Sequence, residues 1–248
     1  MDKPQICYVA MLDIMGFANF VGESSAEDVL MYLNNHITVN NVFSSIVPHL
    51  NISVISDSIA ISTPVLDDLK ADTARYLHLI RYTCCMQYSI ITAPNLGLPL
   101  RGAITKGEFY SNQRDILFGK AWVEAVRLEA EEAIFPRVIV ADETNMLNCV
   151  LVRGTEKSSK DQEAPLKRDN DGKLFCNYLR SILDIEEKPP KDPPFLALHR
   201  DSIIRNLKAA KCNDKLTAKY KWIKDYHNWF CIGYDELRDY LISDEDTI

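Results

Sequence analysis

The sequence predicts an α+β fold: a split βαβ, ferredoxin-like layer with helices on one face of an antiparallel sheet and a helical appendage at the C-terminal end. Three observations carry this prediction. Residues 6–12 (ICYVAML) form a short unbroken apolar run, the pattern of a strand buried on both faces. Two β-branched runs, 52–55 and 59–62, flank Ser56-Asp57-Ser58 and read as a hairpin. Stretches of helical period precede and follow that hairpin, and a further strand comes after each, giving the order β-α-β-β-α-β.

Taken in order, the first strand ends in the turn signal Asp13-Ile14-Met15-Gly16-Phe17. Ser24 or Ser25 caps the next helix, Glu27 and Asp28 favour its first turn, and Val29, Leu30, Leu33, Ile37 and Val42 give it an apolar stripe. It runs to about Val47, and Pro48 stops it. After the hairpin, Asp67 opens a long helix with Leu69, Tyr76, Leu77, Ile80, Cys84 and Tyr88 inward, ending before Pro94-Asn95-Leu96-Gly97. Residues 100–105 form a strand, 116–118 a short one, 120–132 a helix and 137–141 a strand, after which Asp142 can cap another helix. The charged, apolar-poor segment 154–172 reads as a surface loop. Pro189, Pro190, Pro193 and Pro194 mark a linker, and 201–211 and 215–230 read as helices. The expected organisation is thus one domain over 1–193 and a helical extension over 194–248.

Composition narrows the function. With 47% hydrophobic residues, the 248-residue chain can bury a real core, so wholesale disorder is excluded. A net charge of −7 disfavours direct nucleic-acid binding, since duplex affinity comes largely from neutralising phosphates. The start of the chain is polar and no apolar stretch approaches the ~20 residues of a membrane span, so a cytoplasmic protein without membrane contact is expected. Seven cysteines without a C-x-x-C, and five scattered histidines, give no metal spacing and read as free thiols and isolated rings. The segment Tyr220, Trp222, Tyr226, Trp229 and Phe230 is interleaved with Lys219, Lys221 and Lys224. Its helical spacing favours packing over nucleic-acid stacking.

The chemistry-bearing residues are two aspartates. In a split βαβ sheet the first strand is central and borders the hairpin, so Asp13 at its end and Asp57 in the hairpin turn converge on one sheet edge. Hard divalent cations take oxygen ligands, and one or two carboxylates plus substrate phosphates suffice. Ile14 can add a main-chain carbonyl, and the N–H groups of Met15 to Phe17 can hold phosphate oxygens, with Gly16 allowing close approach. Alone, a D-x-x-G-F is usually a turn after a strand and an S-D-S ordinary turn chemistry; the joint placement is what speaks for a site.

The segments YVAMLDIMGFANF, ISDSIAIS, LPLRGAITKGEFY and DILFGKAWVEAVRLE, in this order, resemble the catalytic domain of class III adenylate and guanylate cyclases over residues 5–140. The R-G-A-I-x-x-G-E strand is most similar to that of the bacterial pyrimidine cyclases of anti-phage defence. The resemblance implies that Asp13, Asp57 and the Ile14 carbonyl hold two Mn2+ or Mg2+ ions per active site. It makes Arg127 the transition-state arginine and Glu129 a structural residue closing that motif. Ser53 and Ile116 match the base-reading positions, Met11 should face the base pocket, and Phe17 lies in the phosphate-holding turn. Neither Ser53 nor Ile116 supplies the charged purine-reading pair, which argues for a pyrimidine. The serine hydroxyl both donates and accepts, so it does not choose between uracil and cytosine. Val123 stands where adenylate cyclases carry a ribose-orienting asparagine, and the neighbouring Glu124 cannot replace an amide.

What the resemblance implies is a homodimer with sites shared between subunits, converting UTP to 3′,5′-cyclic UMP and pyrophosphate, the product being sensed by a separate effector protein. The preference for UTP comes from the family. A cytidylate cyclase, or a degenerate nucleotide sensor of the same fold, is the alternative; a cyclic-dinucleotide synthase is disfavoured by the lack of a G-G-D/E-E-F hairpin. Lys106 and Lys173 are weak candidates for triphosphate contact. Arg101 either lines the base pocket or pairs with a carboxylate at the sheet edge.

Overall fold

The structure, a computed structural model, describes residues 4–44, 46–47, 49–65, 69–86, 97–111, 116–146, 161–183, 189–190 and 193–247. β1 (Gln5–Ile14) is the central strand, antiparallel both to β3 (Ser58–Pro64) and to β4 (Leu100–Ser111). β2 (Asn51–Ile55) pairs with β3, which gives the expected order β2-β3-β1-β4. Each face of β1 is covered, which is why it reads as a continuous apolar run. Tyr8, Ala10, Leu12 and Ile14 join the main core, while Cys7 and Val9 pack with Phe109 and Ala121 on the other side.

The main-core face carries α2 (Ala26–Ser44) and α3 (Leu69–Met86). Ser25 is the α2 cap, its hydroxyl accepting from the Asp28 N–H at 3.1 Å. Tyr76 of α3 stacks on Tyr8 with ring centres 5.7 Å apart and donates to the Ile61 carbonyl at 2.7 Å. Before α2 comes a helix not anticipated from the sequence, α1 (Phe17–Glu23), held by Phe20 edge-on to Tyr32 at 5.3 Å. Pro48, Asp67, Tyr88 and Pro94 to Leu96 lie outside the described residues, as do the side chains of Val42 and Leu69.

The expectation of helices on one face is corrected by α4 (Lys120–Glu131). It lies across the opposite face, where the Thr105 hydroxyl donates to the Ala121 carbonyl at 2.8 Å. β4 runs well past residue 105, through Gly107, which lies beside Ala121. β5 (Leu117–Phe118) folds back on its far end. β6 (Val138–Val140) adds to β4 in parallel, so the sheet is mixed, not purely antiparallel. After Asp142 a single 3-10 turn, Asp142–Thr144, is described; residues 147–160 lie outside the described residues.

The reading of 154–172 as a surface loop is also corrected. β7 (Leu166–Arg168) and β8 (Leu174–Cys176) form a hairpin that extends the sheet beyond β6. Its turn is Asp169-Asn170-Asp171-Gly172, with Gly172 at φ +82°, a conformation that glycine adopts without strain. Arg137, fully buried before β6, forms ion pairs with Asp169 and Asp171 and lies 5.5–5.9 Å from the ring centres of Phe135, Trp222 and Phe175.

The C-terminal helices are α5 (Pro194–Ala209), which begins earlier than expected with Pro at its first turn, and α6 (Asp214–Ile232), capped by the Asn213 side chain accepting from Leu216 N–H. The aromatic segment of α6 faces inward. Trp222, Tyr226 and Trp229 stack successively at 5.5 and 5.9 Å, and Tyr226 packs on Phe175 and Tyr178. Tyr226, Phe230 and Cys231 belong to the same core as the central strands.

A buried hydrogen-bond chain ties α5 to α6, and its directions follow from the partners. The Tyr240 carbonyl can only accept, so His227 Nε2 donates to it at 2.9 Å. A neutral His227 then accepts at Nδ1 from His199 Nδ1–H at 2.8 Å, and His199 Nε2 accepts from the Tyr178 hydroxyl at 2.8 Å. Burial pushes His199 well below its ordinary pKa, helped by His227, and burial lowers His227 to about 4. No described helix is long and apolar enough to cross a membrane.

Candidate functional site

Strand register builds the site. Asp13, one residue before the end of β1, lies opposite Ser58 on β3 and Arg101 on β4. Two residues earlier, on the same face, Met11 lies between Ala60 and Ala103, and Ala60 pairs in turn with Ser53. Ser53 and Met11 are both buried. The β2–β3 turn passes through Ser56 at φ +58° and brings the Asp57 carbonyl to within 2.9 Å of the Ile14 N–H. The split βαβ order thus sets the Asp57 backbone against the end of β1, as the sequence order requires.

The cation at this corner is Arg101. Its Nε donates to Asp13 Oδ2 at 2.9 Å and its terminal nitrogen pairs with Glu129 Oε1 at 2.7 Å. The Glu129 side chain is largely shielded from solvent, 9% exposed, on the sheet-facing side of α4. Burial raises its pKa; Arg101 counters this, and the charges of Asp13 and Asp57 reinforce it, so both aspartates act on the same carboxylate. Lys219 of α6 belongs to the cluster as well. Burial and then Arg101 lower its pKa, against the pull of Asp13 and Glu129.

The side chains of Ile14 and Phe17 do not face this corner. Ile14 is in the main core and the Phe17 ring packs edge-on to Phe20 at 6.2 Å, so neither side chain is a ligand candidate, and the Ile14 N–H is already donated to Asp57. Arg127 is elsewhere too. Two residues from Glu129 it projects from another side of α4, 42% exposed. There it makes a two-pronged contact with Glu124, at 2.9 and 2.6 Å, and pairs with Glu131 and Glu132 at 2.8 and 3.2 Å. It borders a cleft of about 380 Å³ lined also by Lys173, Arg168, Glu132, Asp142 and Glu143. Lys173 pairs with Glu132, whereas Lys106 sits over the Tyr8 ring at 5.8 Å, on the opposite face from Asp13. Ile116 is exposed just before β5, whose pairing begins at Ser111 of β4. The eight steps along the strand from Ala103 to Ser111 extend over about 26 Å, so one chain does not bring Ile116 to Ser53.

Among the described residues no group of three or more His, Cys, Asp or Glu is arranged to hold a metal ion. The donor set of Asp13, Asp57 and the Ile14 carbonyl nevertheless fits a hard divalent cation, which needs only one or two protein carboxylates when a triphosphate supplies the rest. The Asp13 carboxylate is already paired with one cationic group, the Arg101 guanidinium. The sequence leaves Arg101 open between base pocket and carboxylate and reads Glu129 as structural; the register of β1 and β4 sets Arg101 on Asp13, and the packing of α4 on the sheet brings Glu129 to it. Lys219, from a distant helix, had no local signal.

No family model and no curated protein matches the sequence. Among solved structures, the monomeric guanylyl cyclase domain of the RhoGC fusion protein from the aquatic fungus Blastocladiella emersonii is similar over 71% of this chain and 96% of that one, with a TM-score of 0.52 at 14% identity. The guanylate cyclase domain of RhGC from Catenaria anguillulae, in complex with GTP, is similar over 71% and 96%, TM-score 0.48, at 18% identity. The adenylyl cyclase CyaB from P. aeruginosa is similar over 70% and 94%, TM-score 0.48, at 16% identity. The chain has the fold of a guanylyl cyclase domain.

Proposed function

We propose that this chain is a nucleotidyl cyclase acting on a pyrimidine ribonucleoside triphosphate, UTP in preference to CTP, and releasing the 3′,5′-cyclic monophosphate and pyrophosphate. The observation that carries the reading is the junction of Asp13 and the Asp57 turn at the end of β1, on a sheet of cyclase order. Asp13, Asp57 and the Ile14 carbonyl would hold two Mn2+ or Mg2+ ions, which when bound supply Lewis acidity and neutralise phosphate charge. Ser53 and Met11, on the same face of the sheet, would line the base pocket with one hydroxyl and one apolar side chain. Ile116, which one chain does not bring to Ser53, would have to reach the base from the second copy, and the main-chain N–H of Phe17 would hold a phosphate oxygen. Arg127 would offset charge on the non-bridging oxygens while the ribose 3′-oxygen attacks the α-phosphorus and pyrophosphate leaves.

Because Arg127 projects away from the Glu129 side of α4, the reading requires it to act on the Asp13–Asp57 corner of a second copy, hence a homodimer with shared sites. In this reading the cyclic product is a second messenger of anti-phage defence, recognised by a separate effector. The same fold as a nucleotide sensor without turnover is favoured by one observation: Arg127 is engaged by Glu124, Glu131 and Glu132.

Incubation with Mn2+ and each of ATP, GTP, CTP and UTP, with products identified by mass spectrometry, separates these readings. Cyclic UMP is the expected main product; cyclic CMP would shift the substrate, and tight nucleotide binding without product would favour the sensor. Asp57→Ala should abolish cyclisation while leaving the oligomeric state unchanged, and full activity in that variant would refute the role of Asp57.

A further inference from the structure

Arg101 occupies a position that the proposed chemistry leaves unexplained. It spans two elements, pairing through Nε with Asp13 on β1 and through a terminal nitrogen with Glu129 on α4. All three side chains are largely shielded, at 25%, 19% and 9% exposure, so solvent screens these contacts only in part. The bond to Asp13 uses Oδ2, one of the two oxygens through which that carboxylate could ligate a divalent cation. A dication and a guanidinium repel, and their sharing of one shielded carboxylate is unfavourable. Arg101 has an alternative that an ordinary buried arginine lacks: released from Asp13, it keeps Glu129 and is not left without a counter-charge.

We infer that Arg101 is a latch at the Asp13–Asp57 corner, displaced from Asp13 when a divalent cation binds and then held by Glu129 alone. The inference rests on the reading of Asp13 and Asp57 as cation ligands. It makes Arg101 a positioning residue: with no cation present it fixes the Asp13 carboxylate, and on cation binding it transfers its whole pairing to α4. That helix also carries Arg127, two residues from Glu129, so occupancy of the corner is communicated to the element that bears the proposed transition-state arginine.

The test uses the intact 15N-labelled chain and Mg2+ alone, without nucleotide. The Arg101 Nε–H resonance, assigned by its loss in Arg101→Lys, should shift along the Mg2+ saturation curve, and Mg2+ addition that leaves it unmoved at saturation overturns the latch. Mn2+ binding, followed through the free-ion EPR signal, supplies a second measurement. Arg101→Gln should bind Mn2+ more tightly, on the order of tenfold. Glu129→Gln, which removes the second partner and holds Arg101 on Asp13, should bind several-fold more weakly. Loss of fold would weaken both variants, so the opposite signs are diagnostic, and equal or weaker binding by a folded Arg101→Gln overturns the proposal. If Mn2+ binds the wild type with UTP present and is lost in Asp57→Ala while the Arg101 resonance stays fixed, the cation reading stands and the latch falls. If no variant and no wild-type sample binds Mn2+, even with UTP, both fall together.

Discussion

At the scale of single residues, the structure spends its charges in pairs, and the pairs differ in what they do. Arg137 is fully buried, and its two aspartates come from the β7–β8 turn, so it fastens that hairpin to the rest of the sheet. Removing one partner of a buried pair leaves an uncompensated charge, so Arg137→Ala should lower stability by about 3–5 kcal/mol, read from the urea midpoint. A loss below 1 kcal/mol would mean that the aromatic cage alone holds the hairpin. Arg127 is the contrast: it and its partners Glu124 and Glu131 are solvent-accessible, so these pairs contribute little to stability. The approach of the Asp57 turn to the end of β1 was legible, because any split βαβ sheet brings those chain positions together. The choice of Arg101 between base pocket and carboxylate was not, because pairing across β1 and β4 depends on a register that local pattern does not fix.

At the scale of elements, legibility follows length and contrast. β1 and the β2–β3 hairpin are apolar or β-branched runs between clear turns, and they form where the pattern places them. β7 and β8 have three residues each inside a charged segment, too few for an alternation to emerge. The Asp169-Asn170-Asp171-Gly172 turn was the one usable signal. α1, at seven residues, is stabilised by Phe17 and Phe20 in the core and not by its own propensity. The joint between α5 and α6 yields a pH prediction. Its His199–His227 chain is assembled from neutral rings, with the folded pKa of His227 near 4 and that of His199 well below the ordinary 6.5. The unfolded chain therefore takes up protons first as pH falls. The chain's contribution is intact above pH 6.5 and is lost progressively as pH falls below it, His227 alone accounting for a loss on the order of 3 kcal/mol between 6.5 and 4. Urea midpoints measured from pH 7.5 down to 4.5 should fall in this window, and His199→Gln should flatten the fall. A profile with the same slope in that variant would assign the effect to other groups.

At the scale of the whole molecule, the separation of Arg127 from its own chain's Asp13 makes complementation the informative measurement. Asp57→Ala and Arg127→Ala chains should each be inactive. Mixed and allowed to exchange, they should recover about a quarter of wild-type turnover, because half the dimers are mixed and each holds one intact site. Two folded variants that recover nothing on mixing would place both residues in one chain's site.

The seating of α6 has a consequence for any attempt to work with a smaller piece. Phe175 of the last strand is covered by Trp222 and Tyr226, and the Tyr226 hydroxyl satisfies both the Leu179 N–H and the Asn177 side chain. A fragment ending at residue 193 would uncover a greasy flank beside Arg137 and strand those polar groups. It should bind the dye ANS and lose near-ultraviolet dichroism, while a fragment as well ordered as the parent would show the sheet to be self-sufficient. A minimal unit for grafting or crystallisation therefore has to retain the terminal helices.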